Sequence, residues 1–272
     1  MKSPPADPKD GAILMLHGLF GARKNNRAMS KALAYELNRE VYAIRVSDFA
    51  FAHQDLRNHG DAPHNPRHDY RIMAEDVAAF IAEHKLQNTT LIGHSMGAKV
   101  AMTLALQSPD LVNDIVSVDN APIDAAIGSK FGTYVKAMKK IEEVGVSRQS
   151  EGDAILREVE DSLPIRQFLL SNLYYPVDGG PMRFRIPTKI LGAALDNMGD
   201  FPFKDPDQVR FEKRALFVRG TKSHYVPDEA LPIIGKFFPR FELADIDAGH
   251  WVISEQPQIF KDKVVEFLQP KE

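Results

Sequence analysis

The pentapeptide Gly93-His94-Ser95-Met96-Gly97 constrains this chain more than any other stretch. It follows Thr90-Leu91-Ile92, β-branched and apolar as a buried strand is, and it precedes Ala98-Lys99-Val100-Ala101-Met102-Thr103-Leu104, which reads as helix. A G-x-S-x-G motif between a strand and a helix predicts a tight turn that holds a serine hydroxyl at the end of a sheet. The two glycines are expected because the chain there bends too sharply to leave room for a Cβ.

The rest of the chain is consistent with such a sheet. Ala12-Ile13-Leu14-Met15-Leu16 is a continuous apolar run, as in a strand covered on both faces. Further strands are predicted at Val41-Tyr42-Ala43-Ile44-Arg45-Val46, Ile115-Val116-Ser117-Val118, Ala215-Leu216-Phe217-Val218 and Phe241-Glu242-Leu243-Ala244-Asp245-Ile246. Between them lie helical patterns: Met29, Leu33 and Leu37 recur at i+4, as do Met73, Val77 and Ile81 beside Phe80, and Phe260, Val264, Phe267 and Leu268 close the chain. Strand alternating with helix predicts a mostly parallel sheet with helices on both faces. A chain of 272 residues, 44% of them hydrophobic, suits one large α/β unit of this kind. From about 121 to 206 strand signals fade and helical stretches replace them, including 134–138, 154–159 and 165–170. The expected organisation is therefore a core of 1–120 and 207–272 with a helical insertion over 121–206, either a lid over the strand ends or an embellishment without a gating role.

Composition excludes several chemistries. With no cysteine, the chain has no disulfide, thiolate metal site, iron–sulfur cluster or cysteine nucleophile. A net charge of -3 with both signs interspersed gives no footprint for a nucleic-acid partner. No run of about 18 apolar residues offers a membrane span. The first eight residues have neither the apolar core of a signal peptide nor the Arg-rich amphipathic character of a transit peptide, and are expected to form a frayed tail. Oligomeric state is not encoded legibly; a monomer is the simpler expectation.

A serine hydroxyl needs a base to take its proton, and the base needs a carboxylate to fix its tautomer. Of nine histidines, His250 stands just beyond the last predicted strand and before the closing helix, in Ala248-Gly249-His250-Trp251. The chain order Ser…Asp…His then puts the acid between 95 and 250. A usual address is the turn after the penultimate strand, but there the chain reads Arg219-Gly220-Thr221-Lys222-Ser223-His224-Tyr225, and Ser223 cannot carry a charge. Asp119, at the carboxyl end of the preceding strand, is the favoured acid, with Asp228 and Asp247 as contenders. Donors for an oxyanion are expected from the backbone N–H of Met96 and of Leu19, in the turn His17-Gly18-Leu19-Phe20-Gly21. Phe20, Met96, Phe131, Tyr134, Met138 and Leu169 are candidates for an apolar acyl pocket. The cluster Asp55-Leu56-Arg57-Asn58-His59-Gly60-Asp61 has metal-ligand residue types, but Arg57 in its midst opposes a cation, and the loop is expected to tie to the sheet edge instead. No metal and no cofactor are expected.

Together these residues resemble the α/β-hydrolase family, across essentially the whole chain. More narrowly, Arg57-Asn58-His59-Gly60-Asp61, Gly93-His94-Ser95-Met96-Gly97-Ala98-Lys99 and Val118-Asp119-Asn120-Ala121-Pro122 resemble the α/β-hydrolase-domain-11-type proteins, the fungal ethanol-acetyltransferase-type proteins and bacterial short-lid esterases. Where relatives often show Gly-Asp-Ser-Pro, this chain reads Gly60-Asp61-Ala62-Pro63. The resemblance implies an α/β-hydrolase fold, an acid placed after the earlier strand, as Asp119 is, and cleavage of esters or thioesters, with transfer of the acyl group to an alcohol as the alternative. A non-catalytic binding relative is a third reading, though its expected signature is a lost triad residue type. The resemblance alone implies a mitochondrial location.

Overall fold

The structure is a computed structural model that describes residues 11–42, 55–125 and 129–269. Eight strands and eleven α-helices follow one another along these residues. They are β1 (Ile13–Leu16), α1 (Arg23–Leu37), β2 (Val41–Tyr42), α2 (Tyr70–Glu83), β3 (Thr89–His94), α3 (Met96–Gln107) and β4 (Val112–Val118). The insertion then supplies α4 (Ser129–Val144), α5 (Gln149–Arg157), α6 (Leu163–Leu170), β5 (Leu173–Tyr174), β6 (Arg183–Phe184), α7 (Thr188–Ala193) and α8 (Leu195–Gly199). The chain closes with β7 (Arg214–Gly220), α9 (Leu231–Phe237), β8 (Phe241–Ile246), α10 (Val252–Glu255) and α11 (Pro257–Leu268).

Six strands form one parallel sheet in the order β2-β1-β3-β4-β7-β8. The apolar runs of the sequence divide between its faces with the period of two that a pleated strand imposes. Leu14 and Leu16 of β1 and Ala215 and Phe217 of β7 pack with α2, α3 and α9 on one face. Ile13, Met15, Leu216 and Val218 pack with Met29 and Leu33 of α1 and with Phe260, Val264 and Phe267 of α11 on the other. Both faces are therefore covered, which is why these strands are hydrophobic throughout rather than alternating.

Two features differ from the sequence expectation. The insertion carries a two-stranded antiparallel sheet, β5 with β6, where only helices are expected. With two residues per strand there is no run long enough to show alternation. The second predicted strand is described only at Val41 and Tyr42; 43–46 lie outside the described residues.

Candidate active site

The turn between β3 and α3 is as tight as its glycines require. A Cβ on Gly93 would stand 2.1 Å from the carbonyl oxygen of Gly97, and one on Gly97 would stand 2.4 Å from that of Leu16. Ser95 between them is held at φ 55° and ψ −115°, a conformation rare for a residue with a side chain. Its N–H donates to the Val118 carbonyl (2.9 Å), and its own carbonyl accepts from Asn120 Nδ2 (3.1 Å). The end of β4 thus anchors the turn, and the strand register that pairs His94 with Val118 brings Asp119 beside Ser95.

Ser95, His250 and Asp119 come together in one hydrogen-bonded chain. Ser95 Oγ lies 2.9 Å from His250 Nε2, and His250 Nδ1 lies 2.7 Å from Asp119 Oδ2. Asp119 is itself left-handed (φ 52°), and its N–H extends the ladder to the Val218 carbonyl (2.8 Å). Its carboxylate is fully buried. A buried carboxylate needs hydrogen-bond partners in place of the water it has lost. Here Oδ1 accepts from the Gly220 N–H (3.1 Å), while Oδ2 accepts from Ser223 Oγ–H as well as from His250. With Nδ1 donating to that carboxylate, the neutral imidazole presents an Nε2 lone pair to the serine hydroxyl.

The other two candidate acids lie elsewhere. Asp228 is an exposed partner of Arg219 (2.6 Å), and Asp247 is an exposed partner of Lys222 (2.8 Å). Ser223, at the usual address of the acid, donates to Asp119 across the gap between neighbouring strand ends. Two further side chains hold His250 in place, one through its ring and one through its backbone. Tyr225 stacks on His250 with centroids 4.1 Å apart, and His94 Nε2–H donates to the His250 carbonyl (2.7 Å). Burial lowers the His94 pKa to about 4, with His250 nearby adding to the effect, so this donor is a neutral ring of fixed tautomer.

Leu19, Met96 and Ser95 line one small cavity together. Met96 opens α3, and a first-turn N–H has no partner within its own helix. The Leu19 amide likewise makes no hydrogen bond among the described residues. The next amide is occupied: Phe20, at φ 61°, donates its N–H to His59 Nε2 (3.0 Å). His59 in turn donates Nδ1–H to the Arg57 carbonyl (2.9 Å). The loop after residue 54 therefore clamps the turn that carries Leu19. Leu56 N–H donates to His17 Nε2 (3.1 Å), Asp55 Oδ2 accepts from Asp61 N–H (2.9 Å), and Arg57 makes a two-pronged ion pair with Asp76 of α2 at 2.6 Å per contact. Burial pulls the pKa of His17 down and that of His59 well down. The acids and histidines of this loop are thus engaged with the protein itself, as structural ties.

The remaining sequence candidates separate by helix face. Phe131 and Tyr134, on one side of α4, line a cavity of about 530 Å³ together with His250, Tyr225 and Trp251. Phe20, Met138 and Leu169 line neither this cavity nor the small one. All three are buried in the hydrophobic core, Phe20 against Phe131 with ring centroids 5.9 Å apart. Ser223, Tyr225, His94 and His59 escape sequence reasoning. Only their position, in the turn after β7, within the elbow itself or in the Asp55-to-Asp61 cluster, offers a signal.

The geometry accords with what the chain is similar to. Residues 11–139 match the family model described as alpha/beta hydrolase fold. A "Probable alcohol acetyltransferase" of Saccharomyces cerevisiae is 39% identical over 96% of this chain and 78% of its own length. The sn-1-specific diacylglycerol lipase ABHD11 of Mus musculus is 36% identical over 94% of this chain and 80% of its own. Among solved structures, a marine microorganism esterase superposes with a TM-score of 0.83 at 31% identity, covering 95% of both chains. With the parallel sheet, the strained serine and these relatives in agreement, the chain belongs to the α/β-hydrolase family.

Proposed function

We propose that this chain cleaves carboxylic esters or thioesters through an acyl-Ser95 intermediate. The observation that carries the reading is the unbroken chain from Ser95 Oγ through His250 to the buried Asp119 carboxylate. His250 Nε2 accepts the serine proton as Oγ bonds to the acyl carbon, and Asp119 stabilises the imidazolium that forms. The amides of Met96 and Leu19 donate to the oxyanion. As the tetrahedral centre collapses, the carbon–oxygen or carbon–sulfur bond breaks and His250 returns the proton to the leaving atom. Water, activated by the same imidazole, then releases the acid and regenerates the serine. Domain 121–206 acts in this reading as a lid, because Phe131, Tyr134 and Ile165 roof the cavity beside His250.

A second reading shares every step up to the acyl-enzyme and ends with an alcohol in place of water. The similarity to a chain named as an alcohol acetyltransferase supports it. Products formed from an acyl-CoA with and without added ethanol distinguish the two: free acid in both cases for a hydrolase, ethyl ester for a transferase. A mitochondrial location is proposed on the resemblance to the α/β-hydrolase-domain-11-type proteins alone. No helix of the described residues is long and apolar enough to cross a membrane. The test of the reading itself is replacement of Ser95 by Ala, which should lower ester turnover by about 10⁴-fold or more with the fold intact. Turnover near the wild-type rate in that variant would end it.

A further inference from the structure

Ser95 lines the smaller of two adjoining cavities of very different size, which share Ala125, Phe131 and Tyr225 as a common wall. One, about 20 Å³, is lined by Ser95, Leu19, Met96, Lys99, Tyr70 and Met198. The other is the cavity of about 530 Å³ beside His250 and Trp251. The chemistry decides which half of a substrate each receives. His250 Nε2 must hand its proton to the departing oxygen or sulfur, so the leaving group occupies the His250 side. The acyl group is then received on the Ser95 side, in the small cavity that Leu19 and Met96 also line. A volume of about 20 Å³ is little more than that needed for one water molecule, which suits the methyl or ethyl of an acetyl or propionyl group.

The far wall of that cavity is held rigidly. Three consecutive carbonyls at the end of α8 are taken by two polar side chains rising from the core. The Tyr70 hydroxyl donates to the Met198 carbonyl (2.8 Å), and Lys99 Nζ donates to those of Gly199 (3.0 Å) and Asp200 (2.8 Å). The next residue, Phe201, donates its N–H to Asp124 Oδ1 (2.8 Å), and the Ala125 N–H donates to Gly199 (2.9 Å). Lys99 is itself buried, one turn beyond Ser95 on α3, with its ammonium 5.5 Å from the centre of the Tyr70 ring. Burial lowers its pKa to about 8, countered in part by Asp124 and Asp200. Tyr70 and Lys99 are themselves buried, so moving the carbonyls away would leave their polar atoms unpaired, and the wall resists displacement by a longer chain.

We infer that the enzyme selects short acyl groups, acetyl to propionyl, carried on bulky leaving groups, and that Met198, fixed in place by Lys99 and Tyr70, is the stop that sets acyl length. This rests on the acyl-serine reading of the site. A misfitting methylene in such a pocket commonly costs about tenfold or more in kcat/KM.

The test is kcat/KM for p-nitrophenyl acetate, propionate, butyrate, hexanoate and octanoate with the full chain, alongside Ser95 labelling by a fluorophosphonate. The wild type should fall by about a hundredfold or more from acetate to hexanoate, while 1-naphthyl acetate stays within a few-fold of p-nitrophenyl acetate. Met198→Ala should raise the hexanoate-to-acetate ratio by about tenfold or more. Lys99→Met, which frees the wall, should raise it in the same direction and serves if Met198→Ala does not fold. A flat or rising acyl profile on enzyme whose Ser95 labels would overturn this inference alone. Unchanged ratios in folded variants would overturn the assignment of the wall, and absence of Ser95 labelling would sink the acyl-serine reading beneath it.

Discussion

Asp119→Asn is the substitution whose consequence the geometry fixes most fully. The side chain is fully buried and its two oxygens have different partners: Oδ1 faces the Gly220 N–H, while Oδ2 faces His250 Nδ1 and the Ser223 hydroxyl. An asparagine amide has one oxygen to place. Turned toward His250, it would aim its NH2 at the Gly220 N–H, two donors face to face. Turned toward Gly220, it keeps that bond and sets the NH2 against His250 Nδ1, while the Ser223 hydroxyl can rotate to accept. The second arrangement leaves no buried group unpaired, so it should prevail. It also forces the imidazole proton onto Nε2, where it faces Ser95 Oγ, and the ring can no longer accept the serine proton. A wrong tautomer of this kind costs about 10⁴ in kcat, equivalent to roughly 5 kcal/mol of transition-state stabilisation. Steady-state kinetics on a p-nitrophenyl ester, with circular dichroism to verify folding, measure it. A folded Asp119→Asn enzyme within tenfold of wild type, especially beside an inactive Asp228→Asn or Asp247→Asn, would refute the assignment of the acid.

Ser223→Ala removes one of three donors to the same carboxylate, a hydrogen bond to a charged group; kcat should fall roughly tenfold to a hundredfold with KM little changed, as expected for about 1.5–3 kcal/mol, and an unaltered kcat would show the hydroxyl to be idle. Gly97→Ala would set a methyl against the Leu16 and His17 carbonyls, both backbone atoms that cannot withdraw; unfolding in urea should reveal a loss of about 3 kcal/mol or more, and a loss under about 1 kcal/mol would contradict the close approach. Burial holds the pKa of His68 and His94 down at about 4 and lowers those of His17 and His59, all below the 6.5 of an ordinary imidazole. The folded protein therefore binds fewer protons than the unfolded chain between pH 6.5 and about 4. Stability should be full above pH 6.5 and fall as pH drops through that window, by up to about 1.4 kcal/mol per pH unit for each histidine. Urea midpoints that are the same at pH 7 and pH 5 would count against it.

The sheet was legible because each of its signals is local. An apolar run of four or five residues bounded by a turn needs no partner to be recognised, and the glycines about Ser95 declare the bend by themselves. Asp119 was reachable by a weaker route, since its placement depends on β4 lying next to β3, which follows from the topology common to such folds rather than from any residue near 119. Ser223 reads in the sequence as a missing acid. Only the short span between neighbouring strand ends shows its hydroxyl bonded to the carboxylate that stands in its stead. Lys99 and Tyr70 were legible as a polar residue on a helix and an aromatic one, but their acceptors are carbonyls about a hundred positions or more downstream. The apolar residues of the insertion show the limit most clearly. Phe131 and Tyr134 line the large cavity while Met138, on the same helix, sits in the core, and helical periodicity does not say which face a partner will cover.

Catalysis by this triad requires a substrate carbon to become bonded to Ser95 Oγ. Rapid mixing with p-nitrophenyl acetate, quenching in acid and mass spectrometry of the digest test it directly. An acetyl group should appear on the peptide containing Ser95 during turnover and be absent from the Ser95→Ala protein, which also loses the activity. Full-rate turnover with no acetyl at Ser95, or an acetylated residue elsewhere that matches the kinetics, would contradict it.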